Sequence, residues 1–473
     1  MPSLRRPAPA HRPRAALGIA TLLVLGAIGE PGRARAQGVE PTPQPQGITV
    51  TPDQAASLTP QLYAYHGQST VTEQFSPGFG SAFQGPQSLS AAPNGRETTD
   101  FTAYLGVRPW SGAEIWFNPE VDQGFGLANT FGVAGFVSGE AYKVGATYPY
   151  LELDRLFLRQ TIDLGGSTQQ LSPDLNQLGG SETANRLVLT AGKFSVVDIF
   201  DTNPYANNPR ADFLNWSIIN QGSFDYAANA WGYTYGAAAE LTEQWWTARF
   251  GLFNLSNRPN TVNIDPRILG QFQMINELEA RYQLWHQPGA LKFLYWIDRG
   301  ELGSYDQALA LAQATNRTPS TALVRRYRSK DGVELNWQQQ VSPLVGLFAR
   351  GGISQGSIEA DAFSDINKSV SGGVSLNGAA WQRPQDTFGA AIAVNEISHA
   401  GKLYLAAGGL GIVIGDGALP MAGPEQIFET YYSLMLFTPD FHLTFDYQVI
   451  NHPAYNVLRG PVSVLGLRLH GQF

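Results

Sequence analysis

The sequence predicts an all-β fold, namely a transmembrane antiparallel β-barrel of about 16 strands. Three observations lead to this prediction: short segments alternate between apolar and polar residues, their connections are short and long in turn, and the chain ends on such a segment. In the final segment, 461–473, Leu465 and Leu467 fall on one face of an extended strand. Arg468 and His470 fall on the other face, because side chains in a strand alternate with a period of two. A barrel in lipid leaves no edge unpaired, so this strand is expected to close the barrel.

The N-terminal segment indicates the compartment. Residues 1–36 begin with several arginines, continue with an uncharged apolar run at 15–28, and end at 34–36 on an Ala-Arg-Ala sequence. This pattern is typical of a secretory signal peptide, and it is too short for a spanning helix. The proline-rich stretch 37–59 is expected to be a flexible periplasmic tail. The remainder, 60–473, is predicted to form one outer-membrane barrel domain.

The composition favours strands over spanning helices. Beyond the signal peptide, no stretch has the roughly 18 unbroken apolar residues of a spanning helix. Charged residues make up only 15% of the chain, which contains 51 Gly, 19 Tyr, 25 Phe and 10 Trp. Few charges and many aromatic residues are typical of short strands with interfacial girdles. The chain has no cysteine, which excludes disulfides and thiolate metal sites, and its net charge of −8 argues against a nucleic-acid binder.

The clearest hairpin lies at 100–120. Both of its strands, 100–108 and 113–120, place apolar residues on one face and polar residues on the other, and a tight turn at 109–112 joins them. A soluble antiparallel sheet shows the same alternation, so this pair leaves a lipid-facing wall and a soluble core as alternatives.

The lengths of the connections favour the membrane. Strand candidates lie at 61–75, 100–108, 113–120, 155–163, 186–194, 230–241, 245–255, 271–284, 290–299, 331–341, 344–354, 368–377, 387–396, 426–437, 440–450 and 462–473. Short connections follow even-numbered candidates, at 109–112, 242–244, 285–289, 342–343 and 438–439. Long connections follow odd-numbered candidates, at 121–153, 195–229, 300–330 and 397–425. Short periplasmic turns and long extracellular loops are the outer-membrane pattern. The connection 165–185 also follows an even-numbered candidate, but it is much longer than the other connections of that rim. This length indicates a missed strand or an insertion.

Sixteen strands also fit the length of the chain. Strands of about 10 residues are long enough to cross a bilayer when they are tilted. A barrel of this size encloses an aqueous channel, whereas smaller barrels are filled by side chains.

Several longer runs resemble one protein family. They read GAEIWFNPEVDQGFG at 112–126, GEAYKVG at 139–145, RLFLRQTIDLGG at 155–166, GKFSVVDIFDTNPYANNPRADFLNW at 192–216 and GPEQIFETYYS at 423–433. These runs resemble the carbohydrate-selective porins of the OprB type, in an alphaproteobacterial branch, and the likeness covers nearly all of the chain beyond the tail. The resemblance implies an outer-membrane barrel of a Gram-negative bacterium through which mono- or oligosaccharides diffuse passively into the periplasm.

The porin interpretation also carries expectations about partners. Outer-membrane lipid and lipopolysaccharide are expected around the barrel, and the barrel-assembly machinery is expected to read the C-terminal strand that ends at Phe473. A homo-oligomer is an open alternative to a monomer. Enzymatic activity, a cofactor and a metal ion are not expected.

Passage of a sugar requires hydrogen-bonding groups beside flat aromatic faces. Carboxylates and guanidinium groups bind pairs of hydroxyls, and aromatic rings cover the apolar face of a sugar. The residues predicted to line the channel are Arg108, Glu114, Trp116, Asn118, Glu120 and Arg159. The loop 121–150 is expected to fold inward and narrow the channel. The alternative is that these residues only hold one another in place. A further polar face, with Glu277, Glu279 and Arg281, is either a charge ladder for solutes or a set of pairs that stiffens the wall.

Other functions are weighed against the sugar channel. A general porin that sieves by size, without sugar preference, is the main alternative. An outer-membrane enzyme is disfavoured, because the G-x-S-x-G match at 352–356 lacks a strand–turn–helix context. Asp361 and Asp365 are too few to bind Ca²⁺ and are expected to be solvated loop acids. A secreted soluble β protein is the third alternative.

Overall fold

The computed structural model describes residues 49–50, 60–141, 145–229, 232–267, 270–363 and 365–473. The predicted signal peptide, 1–36, lies outside the described residues, and so does the predicted tail, 37–59, except for Thr49 and Val50.

The described residues form 16 long strands and a few short helices. The strands are β1 (Tyr63–Ser76), β2 (Asn94–Val107), β3 (Ala113–Gly124), β4 (Ala146–Leu171), β5 (Gly180–Phe194), β6 (Thr234–Glu243), β7 (Trp246–Asn254), β8 (Phe272–Leu284), β9 (Gln287–Leu302), β10 (Arg326–Ser342), β11 (Val345–Ser354), β12 (Lys368–Asn377), β13 (Thr387–Glu396), β14 (Glu425–Met435), β15 (Phe441–Asn451) and β16 (Val462–Gln472). The α-helices are α1 (Trp216–Ile219), α2 (Tyr305–Thr315) and α3 (His399–Ala406), and single 3₁₀ turns lie at Leu127–Thr130, Val196–Asp198, Thr321–Leu323, Gly378–Trp381 and Pro453–Tyr455. No helix among these residues is long and apolar enough to cross a bilayer.

The strands close into an antiparallel barrel. Each strand pairs with its neighbours in sequence, and β16 pairs with β1 in a register that places Leu469 opposite Val71. The predicted barrel of 16 strands is therefore confirmed, and each strand candidate overlaps one observed strand. The two-residue segment Thr49–Val50 adds a short antiparallel pairing to β4.

Side chains alternate across the barrel wall as the sequence pattern predicts. On β2, Asp100 and Thr102 are buried inside the barrel, whereas Phe101 and Leu105 are each 45% exposed on the outside. On β16, Arg468 is fully buried inside. Apolar side chains on the outer face suit a lipid environment, since hydrocarbon offers no partner for a polar group.

The two rims differ as expected. Even-numbered strands lead into short turns, several of which present one exposed aromatic side chain, namely Trp110, Trp245, Trp285 and Phe437. Aromatic side chains prefer the interface between membrane and water, so these residues mark the level of the membrane surface at this rim. Odd-numbered strands lead into the longer loops.

The connection 165–185 contains no missed strand but carries an insertion, which is a paired extension of β4 and β5. Strand β4 continues to Leu171 and β5 begins at Gly180, so the two strands simply extend beyond the rim as a paired ribbon. Only residues 172–179 form the turn between them.

The interior departs from the simple expectation of polar residues around water. The strand faces that point inward are largely polar, but long loops enter the barrel and form an apolar cluster with some wall residues. Its loop members include Phe136, Phe200, Phe213, Trp216, Phe224 and Phe363. The expectation that Asp361 and Asp365 are solvated loop acids is wrong, because both side chains are buried where these loops pack together.

Candidate functional site

The loop after β3, described at 125–141 and 145, folds into the lumen. Glu425 on the opposite wall accepts hydrogen bonds from the backbone N–H groups of Ala134 and Gly135, at 2.9 and 2.8 Å. Gln74 and Gln448 donate side-chain hydrogen bonds to the carbonyl oxygen of Val137, at 2.9 and 2.8 Å. Wall side chains therefore satisfy the backbone groups of a loop that would otherwise be buried without partners.

The loop after β5, described at 195–229 and 232–233, enters the barrel more deeply. Arg350 on β11 donates to Asp201, to the carbonyl of Ile218 at 2.9 Å and to the carbonyl of Ala206 at 2.8 Å. Lys330 on β10 forms a buried ion pair with Asp225 at 3.0 Å.

The far side of the same loop is held by the last strands of the barrel. Glu429 on β14 accepts from the backbone N–H groups of Leu214 and Asn215, at 2.5 and 3.0 Å. Arg468 on β16 donates to the carbonyl of Asp212 at 2.9 Å. The contacts described so far therefore join this loop to β10, β11, β14 and β16.

One arginine clasps the two inward loops to each other and to the wall. Arg210 lies 3.1 Å from Asp100 on β2, 2.9 Å from Glu120 on β3 and 3.1 Å from Glu140 in the first loop. Four charged groups in one buried cluster hold both loops in place because each carboxylate needs a cationic partner there.

Two buried carboxylates also bind loop backbone. Asp212 accepts from the backbone N–H groups of Asn207 and Asn208, at 3.1 and 3.0 Å. Burial raises the pKa of Asp212 to about 6, although these hydrogen bonds oppose the rise. Asp365 accepts from the N–H groups of residues 412 and 413, and burial raises its pKa to about 6 as well.

A cavity remains between the inward loops and strands β1–β7. Its volume is about 400 Å³, within the range of small-molecule sites. In the part of the chain that the structure describes, its lining has five arginines, namely Arg155, Arg159, Arg186, Arg210 and Arg249, and six carboxylates, namely Glu114, Glu140, Asp174, Glu182, Asp198 and Glu240. Aromatic side chains complete the lining, namely Tyr104, Phe157, Phe194, Trp216, Tyr226 and Tyr233. The opposite charges nearly balance.

Two of these arginines form similar units. Arg155 donates from Nε and Nη2 to the two carboxylate oxygens of Asp198, at 2.8 and 2.7 Å, and its guanidinium lies 4.9 Å from the centre of the Tyr233 ring. Arg159 lies 2.5 Å from Glu114 and 5.9 Å from the centre of the Phe157 ring. Each unit offers charged hydrogen-bonding groups next to an aromatic ring.

The structure divides the six predicted channel residues. Glu114 and Arg159 line the cavity and bind each other. Trp116 and Glu120 point inward but are fully buried: the indole lies over Gly106 and donates to Glu114 at 3.0 Å, and Glu120 binds Arg210.

The remaining two predicted residues bind the turn after β4. Arg108 donates to the carbonyl of Gly179 at 3.3 Å, and Asn118 donates to the Asn176 side chain at 2.8 Å. Both lie on the lumen side, yet neither lines the cavity. Contact of any of the six with a solute stays a prediction.

The second charged face, on β8, consists of ion-paired side chains, and whether it also contacts a solute stays a prediction. Arg249 lies 2.6 Å from Glu277 and 2.8 Å from Glu279, and Arg281 lies 3.0 Å from Glu279. Both glutamates are buried.

Sequence reasoning missed the residues that the second loop contributes, above all Asp198, Arg210 and Tyr233. The signal that marks them is the aromatic content of 195–229. Large apolar side chains are seldom left in water, and a loop outside the membrane has no lipid around it. Such side chains in a connecting segment are therefore expected to be buried within the protein.

The comparisons agree with this architecture. The model of the family described as "Carbohydrate-selective porin, OprB family" matches residues 87–473. The chain belongs to the OprB family of carbohydrate-selective porins. It is similar to the high-pH structure of OprB from Pseudomonas putida, with 15% identity, a TM-score of 0.64, and coverage of 87% of this chain and 94% of that one. No curated protein sequence matches the chain.

Two further solved structures resemble this porin less well. The outer-membrane channel DcaP of Acinetobacter baumannii shows 10% identity and a TM-score of 0.49, with coverage of 87% of this chain and 97% of that chain. The low-pH structure of Pseudomonas putida OprB shows 12% identity and a TM-score of 0.48, with coverage of 87% and 93%.

Membership in the family settles several alternatives. This porin is a carbohydrate-selective channel of a Gram-negative outer membrane, and it is not an enzyme or a soluble β protein. A general size sieve is not favoured.

Proposed function

We propose that neutral mono- or oligosaccharides cross the barrel through the cavity beside β1–β7, and that Arg155 and Arg159 provide the main contacts. The observation that carries this proposal is the repeated unit of guanidinium, carboxylate and aromatic ring. A planar guanidinium and a carboxylate bind the vicinal hydroxyls of a sugar, while the ring covers its apolar face.

The balance of charge supports a neutral solute. Among the described residues, five arginines and six carboxylates line the cavity, and each of these arginines has a carboxylate partner. An ion would therefore meet opposite and like charges in nearly equal number, and it would lose its hydration without a net gain. A sugar uses the same groups as hydrogen-bond partners without this cost.

Block of single-channel current by a panel of sugars in planar bilayers tests the proposal. The double variant Arg155→Ala/Asp198→Ala removes one unit without leaving an unpaired charge. We expect the half-blocking sugar concentration to rise about fivefold, since one net hydrogen bond contributes about 1 kcal/mol. Arg317→Ala, which changes an exposed arginine after α2, is the matched control. Unchanged sugar block in the double variant contradicts the proposal.

Liposome swelling separates the sugar channel from a size sieve. A channel that selects by hydrogen bonding admits a neutral sugar faster than a zwitterionic amino acid of similar size. Equal rates for the two solutes favour the sieve instead.

Three expectations from the sequence belong to this proposal. Residues 1–36 are a signal peptide whose removal leaves a mature chain that begins at Gln37, and N-terminal sequencing checks this.

The barrel-assembly machinery recognises the last strand. The position of Phe473 supports this, because its backbone N–H donates to the carbonyl of Gly67 at 2.9 Å and so holds the last residue on β1. Deletion of Phe473 is expected to lower the yield of assembled barrel in the outer membrane. Association into a homo-oligomer stays a prediction.

A further inference from the structure

The ribbon formed by the ends of β4 and β5 carries a feature that the channel function does not explain. Gln160 pairs with Ala113 at the periplasmic rim, but β4 continues to Leu171, which pairs with Gly180. The register is irregular between Asp163 and Thr168. Gly165 and Gly166 lie in this stretch with φ of +98° and +94°, a conformation that strongly favours glycine. The ribbon therefore bends just outside the rim.

The bend brings the turn 172–179 back onto the periplasmic mouth. The backbone N–H of Gln61 donates to the carbonyl of Gly179 at 3.0 Å, and the N–H of Gly179 donates to the Gln61 side chain at 2.8 Å. Arg108 donates to the carbonyls of Gly179 and Leu178, at 3.3 and 3.4 Å. The Leu178 side chain is fully buried and belongs to the apolar cluster that includes Trp116.

The inner edge of the turn forms one end of the cavity. Asn118 donates to the Asn176 side chain at 2.8 Å, and Arg159 donates to the Asn176 carbonyl oxygen. The N–H of Leu178 points to Glu114 at 3.4 Å. Residues 174–177 line the cavity. A solute that leaves toward the periplasm thus meets the turn at the level of Glu114 and Arg159.

The turn uses the same chemistry as a sugar. A carbonyl oxygen accepts from Arg159 as a hydroxyl oxygen does, and an N–H donates to Glu114 as a hydroxyl does. Exchange of these two contacts for contacts with a sugar therefore keeps Arg159 and Glu114 hydrogen-bonded. The contacts of the turn with Gln61, Arg108 and Asn118 must break as well when the turn leaves.

We propose that the turn 172–179 is an intramolecular competitor that gates the periplasmic exit, with Asn176 as the residue that determines which solutes displace it. Sugars with vicinal hydroxyls replace the Asn176 carbonyl on Arg159 and the Leu178 N–H on Glu114 and release the turn, which swings on Gly165 and Gly166. This inference rests on passage of sugars through the cavity.

A shortened hairpin tests the gate. Because Leu171 and Gly180 are directly paired, residues 172–179 can be replaced by Asn-Gly, the preferred two-residue turn for such a pair. We expect single-channel ion conductance to rise about twofold or more, because the obstruction at the exit is gone. The half-blocking sugar concentration should fall, since its competitor is absent. Unchanged conductance and unchanged block in this variant overturn the proposal.

A reversible lock tests the same gate in one folded protein. The chain has no cysteine of its own, so Asn118→Cys/Asn176→Cys introduces the only thiols, at two side chains that are in contact. With the disulfide verified by mass spectrometry, or with a short bis-maleimide bridge between the two thiols, sugar flux is expected to fall at least about tenfold. Reduction of the disulfide should restore flux. The same double variant with both thiols kept reduced is the control. Full flux through the bridged protein overturns the gate.

The two proposals fail differently. If sugars do not bind the arginine units, sugar block is insensitive to Arg155→Ala/Asp198→Ala, yet the shortened hairpin still raises ion conductance. If the turn is not a gate, sugar block responds to the arginine variant, yet conductance is the same with and without the turn.

Discussion

At the scale of single residues, burial decides what each arginine of the lumen does. Arg155 and Arg159 keep 14% and 27% of their side chains exposed toward the cavity, so solute can reach them. Arg350 is fully buried and donates to Asp201 and to loop carbonyls. Arg210 is nearly as buried and donates to carboxylates. The guanidinium group suits both tasks because it is planar, always charged and rich in donors.

The clasp at Arg210 gives the first prediction at this scale. Arg210→Ala removes the cation that three buried carboxylates, Asp100, Glu120 and Glu140, share. Loss of one partner from a buried ion pair costs about 3–5 kcal/mol. Thermal unfolding in detergent should show a lower midpoint, and protease should cleave the inward loops faster. Arg317→Ala is the exposed control, and an unchanged midpoint in the Arg210 variant contradicts the clasp.

Strand facing could be predicted at the level of residues, but access to solute could not. The alternation placed Glu114, Trp116 and Glu120 on the lumen side correctly, because a period of two fixes the face of a strand side chain. Which of them a loop covers depends on contacts from far along the chain. Arg210, for instance, lies 90 residues from Glu120, and no local pattern links the two. The apolar filling of the lumen is missed for the same reason.

At the scale of elements, the inward loops behave as a second, internal core. Trp216 in α1 stacks on Phe136 with ring centres 4.7 Å apart, and its ring lies 5.3 Å from Tyr226 and 5.0 Å from Phe363. These residues belong to three different loops, so one indole joins them. Apolar packing here excludes water from one side of the barrel and confines solute to the other side.

The second prediction concerns this indole. Truncation of a buried tryptophan to alanine costs about 3–5 kcal/mol through lost contacts and a cavity. In Trp216→Ala we therefore expect the inward loops to pack less tightly against one another. The ion conductance should rise, and the preference for sugars over amino acids of similar size should fall. Liposome swelling measures this preference. Trp285→Ala, at an exposed turn on the periplasmic rim, should leave it unchanged. Full sugar preference in the Trp216 variant contradicts a role for the internal core in selectivity.

The strands were predictable as elements because lipid imposes a uniform constraint on each of them. Every strand must present an apolar outer face, so the alternation recurs at regular spacing. The paired ends of β4 and β5 lie outside the membrane, so this constraint does not act on them. The segment 165–185 was therefore not predicted to be strand. The loops were predictable in length but not in fold, since their burial comes from the barrel around them.

At the scale of the whole molecule, the barrel is a scaffold and its loops form the selective part. Strands β8–β16 hold the inward loops through charged and amide side chains. Strands β1–β7 face the cavity, and β1–β3 also bind the loops. Buried carboxylates recur at these junctions because one carboxylate accepts two adjacent backbone N–H groups. Charge at such sites depends on pH, which makes the stability of the assembled interior depend on pH too.

The last prediction follows from Asp212 and Asp365. Burial raises the pKa of each from 3.8 to about 6. The folded protein therefore binds these protons more tightly than the unfolded chain, so between about pH 6 and pH 4 stability from these groups rises as pH falls. Well above pH 6 both carboxylates are charged in the folded and the unfolded state, and each charged form costs the fold about 3 kcal/mol at most.

Asp212→Asn/Asp365→Asn should raise the unfolding midpoint at pH 7.5 and lose that advantage at pH 4. Asp306→Asn, an exposed change in the first turn of α2, is the control for thermal unfolding in detergent. If the double variant shows the same difference from the parent protein at both pH values, the two carboxylates are not buried as described.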